Sequence, residues 1–427
     1  MGTSVLRRRL FSSRLPASLA LCLLAACASV PPPSVPEDPA AAAVRLQERR
    51  EWAFAKDGVR FDNRLTAARL TGVTRTGAYT YVVDAAPETR PVNPSPWYGF
   101  RVAAERPATV RIAFRYPGFQ HRYHPKLGSG DGRWRDASPE EFEPERDDAP
   151  ATLRIEVGPQ PLLVFAQPPL EPGDFEDWTD TIARGLPIER SVFGRSVQGR
   201  PLRMFEFGGS DDAPLLVVIG RQHPPENTGS QALFGFVETL AADTPRARAF
   251  RERVRTLVVP LVNPDGIVEG HWRGNLRGRD LNRDWGPFTE PETRALMQSL
   301  LARSEGTGRR VVFALDFHST FHDVLYTVTE DPARQPGGAL ARWIAALRTL
   351  SPGLEEKPSP AVRPVFKNWA FCRFGAPAVT YEVGDTTPAA ELDALSRHAA
   401  QALMDLLLQE LPVGPVPACT ISAGNDD

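Results

Sequence analysis

The sequence predicts an α/β domain, a mixed sheet flanked by helices, preceded by a small all-β sandwich, and three observations predict it. Short strand-like stretches follow one another through the first part of the chain, separated by clusters of Pro, Gly and Asp. From about Pro169 onward, apolar runs alternate with amphipathic stretches of helical length, the pattern of a sheet covered by helices on both faces. The 42 prolines, against 33 glycines, favour long irregular connections over a compact helical bundle. With 427 residues the chain has room for two cores, since domains run to about 100 to 200 residues.

Taken in order, residues 53–168 form the expected sandwich, with strands at 79–83, 97–102, 109–116, 153–157 and 162–165. Residues 169–412 form the expected α/β domain. Its strands are placed at 202–207, 215–219, 257–262, 311–317 and 378–383, and its helices at 228–241, 290–303, 338–350 and 388–411. The runs 215–219 and 257–262 are wholly apolar, which suits the buried centre of such a sheet, and loops at the strands' C-terminal ends then form the natural ligand crevice. Residues 413–427 are expected to be a flexible tail.

The start of the chain predicts export. Arg7, Arg8, Arg9 and Arg14 precede an apolar run at 15–26, too short to span a bilayer as a mature helix, and Leu24-Ala25-Ala26-Cys27 resembles a bacterial lipobox. Residues 1–27 are therefore expected to be a lipoprotein signal, with Cys27 lipidated and the Pro/Ala-rich stretch 28–52 a tether from the membrane. An ordinary cleaved signal is the alternative. The expected location is the periplasmic side of a bacterial membrane, the outer one by preference. Cys372 and Cys419 remain in the mature chain, either as a disulfide or as two free thiols. Charge is balanced, 50 Lys plus Arg against 52 Asp plus Glu, which argues against a nucleic-acid partner.

The chemistry is sought after the apolar strands. Directly after 215–219 comes Arg-Gln-His-Pro-Pro-Glu-Asn, placing His223 and Glu226 three apart where a loop enters a helix. Imidazole and carboxylate suit zinc, and a catalytic site needs three protein ligands with a fourth position open. His318, after the strand at 311–317, stands at the same edge of the sheet. Asp316 beside it is either a partner of that imidazole or a plain strand-end acid.

The segment after 257–262 runs NPDGIVEGHWRGNLRGRDLNRDW from Asn263 to Trp285. With His-x-x-Glu before it, a His after a later strand and a Glu in a late strand, the chain resembles the M14 family of zinc metallocarboxypeptidases, in particular the cytosolic-carboxypeptidase branch. The resemblance covers about 174–411. SPWYGFRV at 95–102 is similar to the small sandwich that precedes the catalytic domain in that branch.

The resemblance implies a carboxypeptidase-like fold and one Zn2+ per chain held by His223, Glu226 and His318. It implies Glu382, in AVTYEVGD, as the general base and Arg273 as the cation facing the scissile carbonyl. Asn282 and Arg283 would grip the substrate's terminal carboxylate, and Asp280 would orient the first imidazole. It places Lys367 near the floor of the pocket for the terminal side chain, where an ammonium favours Glu or Asp; the alternative is that Lys367 and Arg373 are solvated loop charges and the pocket prefers apolar residues. The implied substrate is a peptide or protein C-terminus. Arg277 and Arg279 are expected to be solvated loop charges, and His271 and His322 structural.

Three features depart from the family pattern. No Tyr stands between Val328 and Thr380 to cover bound substrate, HPPEN carries a second Pro, and Ser-Thr follows His318. Two alternatives stay open: a zinc amidohydrolase or deacylase acting on small N-acyl amino acids, and a catalytically inactive surface binding module.

Overall fold

The computed structural model describes residues 44–147, 149–335, 337–412 and 416–422. Cys27 and the leader that contains it lie outside the described residues.

The first region carries strands β1 (Glu51–Phe54), β2 (Val59–Asp62), β3 (Gly72–Gly77), β4 (Thr80–Asp84), β5 (Gly99–Ala104), β6 (Ala108–Arg115), β7 (Lys126–Gly128), β8 (Trp134–Asp136), β9 (Phe142–Glu143), β10 (Thr152–Val157) and β11 (Leu162–Phe165). They form two sheets, ordered β1-β2-β5-β11-β7-β8 and β3-β4-β6-β10-β9. Alternating residues of both sheets meet in one core, among them Phe61, Phe100 and Val164 from the first and Tyr81, Ile112 and Ile155 from the second. This is the sandwich that the period-two pattern of β6 and β10 predicts.

The second region follows with α1 (Pro172–Gly185), β12 (Glu189–Arg195), β13 (Pro201–Phe207), β14 (Leu215–Gly220), α2 (Asn227–Ala241), α3 (Pro245–Arg253), β15 (Arg255–Val259), α4 (Pro264–Glu269), α5 (Pro291–Ser304), β16 (Val311–Thr320), β17 (Val324–Val328), α6 (Ala339–Arg348), β18 (Glu355–Ser359), α7 (Phe366–Phe374), β19 (Ala378–Gly384) and α8 (Ala389–Gln409). Its eight-stranded sheet runs β12-β13-β15-β14-β16-β19-β17-β18. The four central strands β15, β14, β16 and β19 are parallel, with antiparallel neighbours outside them, so the sheet is mixed. Every residue of β14 and β15 is buried, as a strand covered on both faces requires. One face packs on α1, α2, α3, α6 and α8, and the other on α5 and α7.

Register places the polar residues that matter. In β16 and β19, His318 lies directly beside Glu382 and Asp316 beside Thr380. His318 is inside β16, which continues to Thr320, and does not follow the strand as expected. The strand expected to reach residue 262 stops at Val259, because Pro260 cannot donate to the ladder. Cys372 and Cys419 form a disulfide with Cα atoms 5.6 Å apart, which settles the open pairing. Ser422 donates to Val362 O at 2.8 Å, so this bond and the disulfide tie residues 416–422 to the α7 side of the sheet. No described helix is long and apolar enough to cross a membrane.

Candidate active site

β14 delivers its chain into the site through a strained turn. Arg221 has φ +55°, an unfavourable conformation for a non-glycine residue, and its fully buried guanidinium holds it there. It donates to Pro224 O at 3.0 Å and Ser230 Oγ at 3.0 Å, and also to Asn227 Oδ1. Burial draws the Arg221 pKa down to about 9. In the sequence Arg221 is marked only as a cation closely following an apolar strand. Behind it, Glu226 stands at the N-cap position of α2 with its carboxylate turned to the histidines, and Gly229 lets the helix approach β16 so closely that a Cβ would lie 2.6 Å from the His318 carbonyl.

The NPDG turn acts as a stitch. Asn263, also fully buried, donates from Nδ2 to Gln222 O at 3.0 Å and Gly274 O at 3.2 Å, and its Oδ1 accepts from Gly266 N at 3.0 Å. It thereby joins the loop carrying His223 to the loop carrying Arg273. Gln222 in turn donates to Asp316 Oδ2 at 2.7 Å and accepts from the Trp285 indole at 2.9 Å.

His223, Glu226 and His318 converge, with one donor atom from each within 4.8 Å of the others. They are 2%, 4% and 1% exposed. The outward nitrogens face carboxylates: His223 Nε2 lies 2.9 Å from Asp280 Oδ1, and His318 Nε2 lies 2.8 Å from Asp316 Oδ2. Both carboxylates favour the Nε2–H tautomer, which turns the Nδ1 lone pairs inward. There the two Nδ1 atoms are 3.1 Å apart, 2.8 and 2.7 Å from the oxygens of Glu226.

Lone pairs gathered this closely repel unless a positive charge lies among them. Burial opposes charging His318, yet Asp316 and Glu226 outweigh it and hold the His318 pKa well above its usual value. Burial likewise opposes charging Glu226, and His223 and His318 keep its carboxyl well below the usual range. Two imidazoles and one carboxylate, each outward nitrogen held by an acid, are the donor set of a catalytic zinc site. Asp316 is thus a partner of the ligand imidazole.

Arg273 donates from Nε to Asp280 Oδ2 at 2.8 Å and reaches Glu226 at 3.8 Å. Asp280 therefore serves Arg273 and His223 together, and despite burial Arg273 holds its carboxyl well below the usual range. Glu382 keeps its buried Oε2 without a hydrogen-bond partner among the described residues, and burial pushes its pKa up to about 7. Asn282 has Nδ2 3.3 Å from His318 Nε2 and accepts at Oδ1 from Phe366 N at 2.9 Å. Arg283 is half-buried, with Nη1 donating to Asn282 O at 2.9 Å.

Lys367 lies one residue beyond Phe366 and turns toward the β17–β18 edge. Its ammonium donates to Thr327 O at 3.2 Å, Ser359 Oγ at 3.1 Å and Asn368 Oδ1 at 2.7 Å. Burial lowers its pKa to about 8. His271 is buried against backbone carbonyls and His322 is exposed beside Glu355, so neither joins the ligand group. Arg277 is exposed as expected, whereas Arg279 is half-buried with Nε out of contact with solvent. Of the tyrosines flanking the gap in the pattern, Tyr381 is buried against Phe317, and Tyr326 is half-buried on β17, close enough to feel the charge of Glu382.

The sequence profile of the family described as Zinc carboxypeptidase (Peptidase_M14) matches residues 175–403, more than half of the chain. The chain belongs to this family. The matched span holds every site residue placed above from His223 to Glu382.

Among relatives, it is similar to cytosolic carboxypeptidase 2 of Danio rerio, 40% identical over 109 residues that make up 24% of this chain and 14% of that protein. Cytosolic carboxypeptidase 6 of Mus musculus is 29% identical over 139 residues, 30% of this chain and 26% of that protein. The match thus spans about a quarter or less of these relatives' own length. Among solved structures, a metallo-carboxypeptidase from Burkholderia cenocepacia superposes with a TM-score of 0.68 at 19% identity, covering 82% of this chain and 99% of that one. A metallo-carboxypeptidase from Pseudomonas aeruginosa, in complex with (2-guanidinoethylmercapto)succinic acid, gives 0.66 at 20% identity, covering 81% and 98%. At these identities the likeness is one of fold, and it extends over the sandwich as well as the α/β region.

Proposed function

We propose that this zinc carboxypeptidase removes C-terminal residues from peptides, with His223, Glu226 and His318 holding one zinc ion. The observation that carries this reading is the inward convergence of two Nδ1 atoms on a buried carboxylate while Asp280 and Asp316 occupy both outward nitrogens. Zinc bound there supplies a Lewis acid for the scissile carbonyl and lowers the pKa of a water to about 7.

The chain's own residues do the rest. Glu382 takes the proton of the attacking water on its unpartnered Oε2 and delivers it to the leaving amine. Arg273, held by Asp280, places a fixed positive charge where the oxyanion forms. Arg283 offers a planar fork to the substrate's terminal carboxylate, with Asn282 beside it, which selects chain ends over internal bonds. We assign Lys367 to selection of an acidic terminal side chain through its buried charge, its three N–H groups being donated to Thr327 O, Ser359 Oγ and Asn368 Oδ1.

Zinc content and hydrolysis of a panel of blocked dipeptides test the reading. Stoichiometric zinc and dipeptide cleavage are expected, with terminal Glu preferred over Leu and that preference lost in Lys367→Ala. Turnover of N-acyl amino acids without dipeptide cleavage would assign the site to deacylation instead, and zinc binding without turnover would make the protein a binding module. For location, the leader and the Cys372–Cys419 disulfide support export to an oxidising compartment and anchoring through Cys27. Cys27→Ser is expected to move the protein from the membrane to the soluble fraction, and a variant that stays membrane-bound rejects the anchor.

A further inference from the structure

Glu88 lies in the long loop between β4 and β5, in the sandwich region, and is fully buried. Its carboxylate accepts three consecutive backbone N–H groups from the other region: Trp272 at 2.8 Å on Oε2, and Arg273 at 3.0 Å and Gly274 at 2.7 Å on Oε1. Converging amides of this kind form a cradle for an anion, and charge-assisted bonds hold it firmly. Burial alone would neutralise the acid, but His271, Arg69 and these amides hold its pKa below the usual value. The same loop is anchored again where the Trp272 indole donates to Trp97 O at 3.1 Å. Gly270, with φ +63°, allows this approach, since a Cβ there would lie 2.3 Å from Ala68 O.

The amide in the middle of the cradle belongs to Arg273. Its backbone is fixed by Glu88 and its guanidinium by Asp280. We propose that Glu88 is a positioning residue for Arg273, so that the sandwich supplies part of the catalytic apparatus. The proposal rests on Arg273 acting at the scissile carbonyl. Arg273 can stabilise a developing charge only where its guanidinium is held, and small displacements of such a group are costly. Asp280 and Glu226 hold the guanidinium and Asn263 holds the Gly274 carbonyl, whereas Glu88 is the group that binds the Arg273 N–H itself.

Glu88→Gln keeps the size of the side chain but replaces one acceptor oxygen with an amide nitrogen, which faces N–H with N–H. Purified full-length Glu88→Gln is expected to keep stoichiometric zinc and to lose roughly ten- to hundredfold in kcat with little change in KM. The deciding measurement is a double-mutant cycle with Arg273→Ala. Glu88→Gln should cost nothing further in kcat once Arg273 is gone; equal losses in both backgrounds overturn the proposal. Should Glu88→Gln fold poorly, Glu88→Asp replaces it in the same cycle, retaining the charge but retreating from the amides.

Arg49→Met is the control for general loosening. Arg49 ties the sandwich to Val268 O at 2.8 Å without touching residues 272–274. It should lower stability while leaving kcat in place; a matching loss of kcat in this variant overturns the assignment to Glu88. An Arg273→Ala enzyme with full activity would remove Arg273 from its role, and the Glu88 proposal with it. A damaged Arg273→Ala enzyme with additive losses rejects the Glu88 proposal alone.

Discussion

The metal end of the large sheet and the flank where α7 packs put buried charge to different uses. At the metal end the charges around the ligand group meet opposite ones: Glu226 lies between His223 and His318, Asp280 between Arg273 and His223, and Asp316 against His318, while Arg221 behind them donates to neutral oxygens. On the α7 flank the buried ammonium of Lys367 donates only to neutral oxygens. That flank is held by aromatic packing, with Trp285 4.7 Å from Phe366 and 5.1 Å from Trp369, and by the Cys372–Cys419 bond. Charge at the metal end orients reacting groups, while the α7 flank is held by packing and the disulfide and buries the Lys367 cation, whose burial outweighs the attraction of Glu330. The two ends should therefore fail differently when altered.

The largest effect is expected at the metal end. Glu382→Gln should keep zinc and lose about 10² to 10⁴ in turnover, because a positioned general base contributes that much. His318→Ala should lose the metal itself, leaving Asp316 a buried acid without its imidazole. Metal analysis beside steady-state kinetics separates the two. Wild-type turnover in Glu382→Gln would remove the base from this end of the sheet.

The next effect belongs to the flank. The disulfide closes a loop of sequence separation 47, for which chain entropy gives a stabilisation of about 4 kcal/mol, with measured values more often about 2 to 4. The double variant Cys372→Ser/Cys419→Ser should unfold at lower denaturant concentration yet keep the zinc content and kcat of its folded fraction. A folded double variant with lost zinc or lowered kcat would show that the flank controls the metal end after all.

These two ends also differ in how legible they were in the sequence. His223 and Glu226 follow the apolar strand β14 and Asp280 stands in a dense polar motif, while His318 and Glu382 lie within β16 and β19, so the order of these residue types along the chain is what pointed to them. The apolar runs of β14 and β15 fixed the centre of the sheet. Edge strand β18, Glu-Glu-Lys-Pro-Ser, carries no apolar alternation, and β17 was passed over beside it; their backbones pair with each other and β17 with β19, which a local pattern does not reveal. Helices α1, α3, α4 and α7 were missed as well, and α3, α4 and α7 are short enough that packing, more than periodicity, decides them. Glu88 sits in a proline-rich loop, 184 residues from its first partner, and only the folded chain brings them together. The pairing of Cys372 with Cys419 was open for the same reason, since a distance across the chain is not written in spacing.

The smallest effect tests whether burial of Lys367 outweighs the attraction of Glu330. Burial sets its folded pKa at about 8, below the usual 10.5 of a lysine. Below pH 8 both folded and unfolded chains carry the proton, and the folded chain bears the full cost of the buried charge. Between about 8 and 10.5 the unfolded chain still holds the proton that the folded chain has released, so the unfolded state binds more protons and stability rises with pH. The rise amounts to at most about 3 kcal/mol for this group. Lys367→Met should remove this component of the pH dependence, while leaving Thr327 O, Ser359 Oγ and Asn368 Oδ1 without their donor, which offsets part of the gain at neutral pH. Denaturant unfolding of both proteins across this pH window measures the difference. Identical pH profiles for wild type and variant would mean that Lys367 is compensated in solution, and the contrast between the two ends of the sheet would then rest on geometry alone.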